Sequence, residues 1–155
     1  MRKGWLERCL EALETCAKMR GRTGELAGHL AVGEAGEDAA LFELRRKGYR
    51  VVARRWSASG LKGDIDLIAW QGPMLCFIEV KTRSAHDETP AEVAVDDTKR
   101  RVMRKLARKY VWQLPLENRP PTRFDVMSVY LEPGKPAEFV HFEAAFGWSR
   151  WSERD

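Results

Sequence analysis

Two short acidic segments on either side of a turn could do chemistry together: Asp64-Ile65-Asp66 and Glu79-Val80-Lys81. Alternate residues of a strand share a face, so Glu79 and Lys81 point the same way. A symmetric turn centred between Gly72 and Pro73 pairs each residue with its mirror image outward along the two strands. Asp66 then faces Glu79, and Asp64 faces Lys81, with the Cβ atoms of opposed residues close. A slip of one residue would send the carboxylates to opposite faces. Two carboxylates held together repel, and the pairing costs stability unless positive charge sits between them. A divalent cation meets that need, and hard oxygen ligands select Mg²⁺ or Mn²⁺. Such a cation polarises a phosphoryl group and lowers the pKa of bound water. The pattern therefore predicts a phosphodiester hydrolysis site, with Asp66 and Glu79 as metal ligands and Lys81 as positioner and charge stabiliser. Glu-x-Lys alone is common on solvated strand faces. The convergence of four charged positions on otherwise apolar strands separates this instance from the common one.

These residues need a sheet and helices to hold them. Residues 5–19 read as an amphipathic helix, with Trp5, Leu6, Cys9, Leu10, Leu13, Cys16 and Ala17 at helical spacing. Gly21, Gly24, Gly28 and Gly33 predict a loosened or broken helix after it. A second helix is expected over 34–47, stopping at Gly48, with Ala40, Leu41 and Leu44 as its apolar stripe. Glu37 shares that stripe and would supply a further carboxylate. Strands are expected over 49–54, 64–70 and 75–83, then a long helix over 91–114 ended by Pro115. Two more strands, 124–131 and 138–142, flank the turn Pro133-Gly134-Lys135-Pro136. This order predicts an α/β fold: a mixed central β-sheet flanked by helices, with an N-terminal helical extension.

The chain has 155 residues, 44% of them hydrophobic and 32% charged, which fits one folded domain. Its formal charge is +4. The charge is concentrated in Lys99, Arg100, Arg101, Arg104, Lys105, Arg108 and Lys109, with no acidic residue among them. Arg101, Arg104, Lys105 and Arg108 share one helical face, while Val102, Leu106 and Tyr110 face the core. A one-signed stripe favours phosphate, so Lys99, Arg101, Arg104, Lys105 and Arg108 are candidate nucleic-acid contacts. Arg83, two residues past Lys81 on the same strand face, is a closer one. Lys62 joins Arg54 and Arg55 in a basic loop. Trp56 would stack on a base or pack. Asp125, between Phe124 and Val126, is expected to pair with Arg83 or Arg123 in a structural role. Cys9, Cys16 and Cys76 show no Cys-x-x-Cys spacing, and His29, His86 and His141 are scattered, which argues against a zinc site or disulfide framework. No apolar run reads as a membrane span or secretion signal, so a cytoplasmic location is expected.

The segments Gly36-Glu37-Asp38, Lys47-Gly48-Tyr49, Gly63-Asp64-Ile65-Asp66-Leu67-Ile68, Phe77-Ile78-Glu79-Val80-Lys81-Thr82-Arg83 and Arg123-Phe124-Asp125-Val126, with a closing His141 and Ala145-Phe146, carry a resemblance. In their order and spacing the chain resembles the YraN family of small bacterial proteins, placed in the PD-(D/E)XK nuclease superfamily. The resemblance spans 33–148 and implies a restriction-endonuclease-like core similar to archaeal Holliday junction resolvases. It divides the chain into an extension (1–32), a nuclease-like domain (33–148) and a tail (149–155). It puts the superfamily's first acidic residue on Asp66, its Glu-x-Lys on Glu79 and Lys81, and its helical acidic residue on Glu37. Two positions depart from the family pattern: Asp64 stands where Glu is usual, and Arg55 where Asn is usual. The expectation is a Mg²⁺- or Mn²⁺-dependent endonuclease acting on DNA, on branched or single-stranded intermediates. By analogy with resolvases it would be a homodimer. The alternative is a nucleic-acid-binding module with the same fold and no cleavage of its own. A scaffold unrelated to nucleic acid is a third class, against which the one-signed helix argues.

Overall fold

A computed structural model of the chain describes residues 22–83 and 95–148. Helix α1 (Arg22–Arg46) precedes strands β1 (Arg50–Trp56), β2 (Ile65–Gln71) and β3 (Met74–Arg83). Helix α2 (Asp97–Trp112) follows, then β4 (Thr122–Tyr130) and β5 (Glu138–Phe146). The strands form one sheet in the order β1-β2-β3-β4-β5, parallel between β3 and β4 and antiparallel elsewhere. This is an α/β fold with a mixed sheet flanked by helices, as expected of a restriction-endonuclease-like core. Among the described residues no helix is long and apolar enough to cross a membrane.

Strand alternation divides the core into two layers. Leu67, Ala69, Cys76, Ile78, Met127 and Val129 pack with Ala39, Ala40 and Leu44 of α1. On the other face, Ile68, Leu75, Phe77 and Phe124 pack with Met103, Leu106 and Ala107 of α2. Val102 and Tyr110 lie at the margin of that second layer, as their helical positions predict.

Two helix boundaries differ from expectation. Helix α1 is unbroken through Gly24, Gly28 and Gly33. Each glycine costs roughly 1 kcal/mol relative to alanine but leaves the helical hydrogen bonds intact, so the glycines weaken the helix without ending it. Helix α2 starts at Asp97 rather than 91, because Asp96 is extended and its side chain accepts the Lys99 N–H at 2.8 Å. The expected helix over 5–19, with Cys9 and Cys16, lies outside the described residues, as do 84–94 and the 149–155 tail.

At the β4–β5 end, three residues of β5 (Glu143–Ala145) bulge opposite Asp125. Asp125 is fully buried. Arg123 grips it through Nε at 2.8 Å and Nη2 at 2.9 Å, His141 Nε2 lies 2.9 Å away, and the Ala144 N–H donates at 3.0 Å. Tyr49, immediately before β1, donates to Glu143 at 2.8 Å and accepts from Arg123 at 3.0 Å. The structural role expected of Asp125 is what this network shows, with Arg123 as its partner.

Gly36 sets how closely α1 lies on β3. A Cβ built there would fall 1.8 Å from Thr82 Oγ1, which no side chain can share. Gly36→Ala should therefore lift α1 from the sheet and destabilise by about 1–3 kcal/mol. Adding Thr82→Ala should restore part of that loss. Urea unfolding of both single variants and the double variant checks this; strictly additive effects would show that Gly36 and Thr82 do not set the spacing.

Candidate active site

The β2–β3 ladder pairs Gln71 with Met74, Trp70 with Leu75, Ala69 with Cys76, Ile68 with Phe77 and Leu67 with Ile78. This is the register expected from the turn. One step further the strands part, while β3 continues beside β4 as far as Arg83–Tyr130. The Asp66 side chain enters the fork, and its Oδ2 accepts the Val80 N–H at 2.7 Å. A backbone donor that the parting would orphan is thus satisfied by a carboxylate. Asp66 and Glu79 are both buried, at 9% and 4% exposure.

Two ammonium groups meet on Glu79. Lys81 Nζ lies 3.0 Å from Oε1, and Lys99 Nζ, reaching in from the first turn of α2, lies 3.0 Å from Oε2. The second contact is close but poorly directed, so Oε2 lacks a well-aligned donor. Lys99 also donates to the Asp64 carbonyl at 3.1 Å, with Asp64 Oδ1 3.9 Å away. Asp64 thus turns toward Lys99 instead of facing Lys81, because β2 begins only at Ile65 and Gly63 bends the chain at φ +85°.

The charges at the fork are unevenly matched. Burial, then the charge of Glu79, pushes the Asp66 carboxyl up to about 7, against the Val80 N–H and Lys99. Burial works against the Lys99 charge, yet Glu79, Asp66 and Asp64 hold its ammonium above the ordinary value. Asp125 shows the contrary balance. Burial would raise it, but hydrogen bonds from His141, Arg123 and Ala144 outweigh that and hold it below the ordinary value.

Glu37 stands at the flank of this pair. Its carboxylate accepts Arg55 Nε at 2.8 Å, and Arg55 Nη1 reaches Glu34 at 3.0 Å. Its charge is felt at Asp66, as the smallest contribution. Arg55 takes φ +44°, a left-handed conformation that Asn enters more readily than Arg. Among the described residues no three acidic, histidine or cysteine side chains gather around one point. Two buried carboxylates with an underdonated oxygen nonetheless fit Mg²⁺, which binds through one or two carboxylates and completes its shell with water and phosphate.

Arg83 is half-buried at the end of β3, on the Glu79 and Lys81 face, and Lys62 is exposed in the β1–β2 loop. Arg101 and Lys105 are exposed on α2, and Arg108 is half-exposed. Arg104 is engaged: its Nε donates to the Gly147 carbonyl at 2.9 Å and its guanidinium lies 5.4 Å from the Phe146 ring centre. Trp56 packs edge-on against Tyr110 at 5.1 Å, the packing side of its two readings. Lys99, expected among the nucleic-acid contacts of the basic run, lies four and seven residues before Met103 and Leu106, on the core face, where sequence reasoning did not join it to Glu79. Sequence reasoning also passed over Ser128, which pairs with Lys81 in the parallel register. Ser128 is fully buried, and its Oγ has no partner among the described residues. A lone hydroxyl within the buried run Val126–Val129 was the available signal.

Residues 36–129 match the model of the uncharacterised protein family UPF0102. The chain belongs to UPF0102. A UPF0102 protein of Koribacter versatilis is 49% identical over 118 residues, covering 76% of this chain and 80% of its own. One from Symbiobacterium thermophilum is 48% identical over 104 residues, 66% of this chain and 83% of its own. One from Porphyromonas gingivalis is 36% identical over 122 residues, 78% of this chain and 87% of its own. The UPF0102 match runs from Gly36, where α1 meets β3, into β4, and so contains Glu37, Asp66, Glu79, Lys81, Lys99, Asp125 and Ser128.

The Asp66 shift makes a pH prediction for the metal-free protein. In the folded state Asp66 keeps its proton up to about 7, in the unfolded chain only to about 3.8. Between those values the folded state binds more protons, so stability falls as pH rises through that window. Asp66→Asn keeps an acceptor for the Val80 N–H and removes the titration. Its stability should fall less than wild type between about pH 4 and about pH 7, by chemical denaturation in a chelator. Equal pH dependence in both proteins would place the Asp66 proton elsewhere.

Proposed function

We propose that this UPF0102 protein is a metal-dependent endonuclease that hydrolyses phosphodiester bonds in DNA. The observation that carries the reading is the fork, where Asp66 and Glu79 are both buried and the charge of Glu79 is felt at Asp66, with Lys81 and Lys99 at 3.0 Å from Glu79. Such a pair adds little to stability. Replacing buried ionic clusters by apolar groups is often neutral or favourable, so a functional reason for the cluster is the stronger one.

Asp66 and Glu79 would hold Mg²⁺ or Mn²⁺. When bound, the cation supplies Lewis-acid polarisation and a water of lowered pKa. The rest of the work falls to the chain. Val80 N–H fixes the orientation of the Asp66 carboxylate. Lys81 and Lys99, each half-buried, offer ammonium hydrogens to the non-bridging oxygens of a phosphate and oppose the charge that develops on them. Burial beneath α2 limits water around these charges and strengthens their effect. Arg83 and Lys62 extend positive charge to the flanking backbone. The alternative, a nucleic-acid-binding module without cleavage, has one observation in its favour: two lysines already pair with Glu79 without a cation.

The two readings part on substrate. Glu79→Gln and Lys81→Ala should each reduce Mg²⁺- or Mn²⁺-dependent cleavage by about a hundredfold or more, with folding retained by circular dichroism. The panel is single-stranded, duplex, flapped and four-way DNA. Wild-type rates in both variants would rule out this site, and no cleavage by the wild type on any substrate would favour the binding module.

The outward face of α2 makes a separate prediction. Reversing Arg101, Lys105 and Arg108 to Glu should weaken DNA binding at all sequences. For every phosphate no longer neutralised, the slope of log affinity against log salt should shrink by about 0.7–0.9. Arg104 is left intact because it ties α2 to Gly147 and Phe146. An unchanged slope would make the stripe a solvated face only.

A further inference from the structure

Arg101, Lys105, Arg108 and Trp112 are spaced four, three and four residues apart, which aligns them along one side of α2. The stripe ends on an aromatic ring. Trp112 is 61% exposed, unusual for so large an apolar surface. It stands as a ridge between two clefts of about 260 and 290 Å³, and Arg108 also lines both. The first cleft runs between Trp112, Arg119, Pro120 and Trp148. The second runs between Trp112, Ser59, Leu61, Lys105 and Lys109. Every charged residue lining either cleft is basic.

An exposed indole with cations on both flanks matches the recognition of unpaired nucleotides. Bases stack on aromatic rings whatever their sequence, and the adjoining phosphates need positive charge. Protein interfaces also favour tryptophan and arginine, but they are depleted in lysine, and Lys105 and Lys109 line the second cleft, so a protein partner fits less well than a polyanion. Paired DNA fits less well too, because a stacked duplex offers no free base face to a surface ring. We propose that the Trp112 ridge is a stacking platform for single-stranded nucleic acid, whose backbone crosses the end of α2 from one cleft to the other. The inference rests on the nucleic-acid reading of the protein and narrows its substrate to DNA with an unpaired segment. Trp112 and Lys99 are thirteen residues apart on α2, about 20 Å along the axis at the usual helical rise. The platform therefore holds nucleotides several positions from the bond at the fork.

The test is binding in a chelator, by anisotropy of a labelled oligothymidylate and of an abasic strand with the same number of phosphates. Wild type should bind the base-bearing strand more tightly, by about 5- to 150-fold for a single stacked base. Trp112→Ala should erase that preference while the salt slope stays the same, and Trp112→Phe should keep part of it. Trp112→Gln serves in its place if the alanine variant does not fold. Equal wild-type affinity for the two strands would overturn the platform, as would a preference that survives Trp112→Ala. Self-association weakened by Trp112→Ala, with oligonucleotide affinity unchanged, would overturn it in favour of a protein-docking surface. Because no metal is present, failure here is distinct from failure of the nuclease reading. Base preference without any cleavage would sink the nuclease alone, and cleavage without base preference would sink the platform alone.

Discussion

The hydrogen bond from the Val80 N–H to Asp66 Oδ2 holds open the fork between β2 and β3. Had the ladder continued past Leu67–Ile78, backbone carbonyls would have taken the donors of β3, and the Asp66 carboxylate would have had no reason to turn inward. Once β2 leaves, β3 is kept straight by its parallel pairing with β4. Glu79 and Lys81 are therefore displayed from a strand that is rigid on one side and open on the other. A sheet interior is a poor place for charge and a solvated edge is a poor place for precision. The fork lies between them: buried enough to strengthen electrostatic interactions, and open enough that Lys81 and Lys99 keep 31% and 26% of their side-chain surface exposed.

Two buried aspartates in this fold show opposite solutions to the same problem. Asp125 accepts both arms of Arg123, the Ala144 N–H and a bond shared with His141, so its charge is fully met and its carboxyl is held low. It ties β4, β5 and, through Tyr49, the start of β1 into one block. Asp66 has one backbone donor, an acidic neighbour and a lysine engaged chiefly by Glu79, so its carboxyl is held high. A saturated carboxylate is architecture, because every lone pair it uses is committed. An unsaturated one retains affinity for a proton or a cation, which is the property a site requires.

Much of this arrangement was legible in the sequence, for a geometric reason. The β2–β3 turn is short and even-numbered, so the hairpin register followed from counting, and the pairs from Gln71–Met74 to Leu67–Ile78 bear it out as far as the step before the carboxylates, where the strands part. Strand parity then put Glu79 and Lys81 on one face. Contacts between distant elements were less legible. The place of Lys99 beside Glu79 depends on how α2 lies across the sheet, which no local pattern encodes. Its spacing to Met103 and Leu106 was the one clue. The clamp of Arg55 on Glu37 and Glu34 likewise joins α1 to β1 through a residue at positive φ, a conformation that arginine does not advertise. The helix ends turned on single residues: Asp96 as a cap, and glycines that weaken α1 without stopping it.

On the proposed reading, helix α2 serves two purposes on opposite sides. Its inner face delivers Lys99 to Glu79 and buries Met103, Leu106 and Ala107 against the sheet. Its outer face carries Arg101, Lys105, Arg108 and Trp112, which nothing in the core requires. A helix built only for packing would mix acidic residues into that outer face, which would relieve repulsion between like charges three and four residues apart. From Lys99 to Trp112 this helix has none. The repulsion is left standing along the side that faces solvent, and a polyanion is the ligand that would relieve it. Since Lys99 and the outer stripe lie on one rigid element, a strand held outside the helix keeps a fixed relation to the fork beneath it.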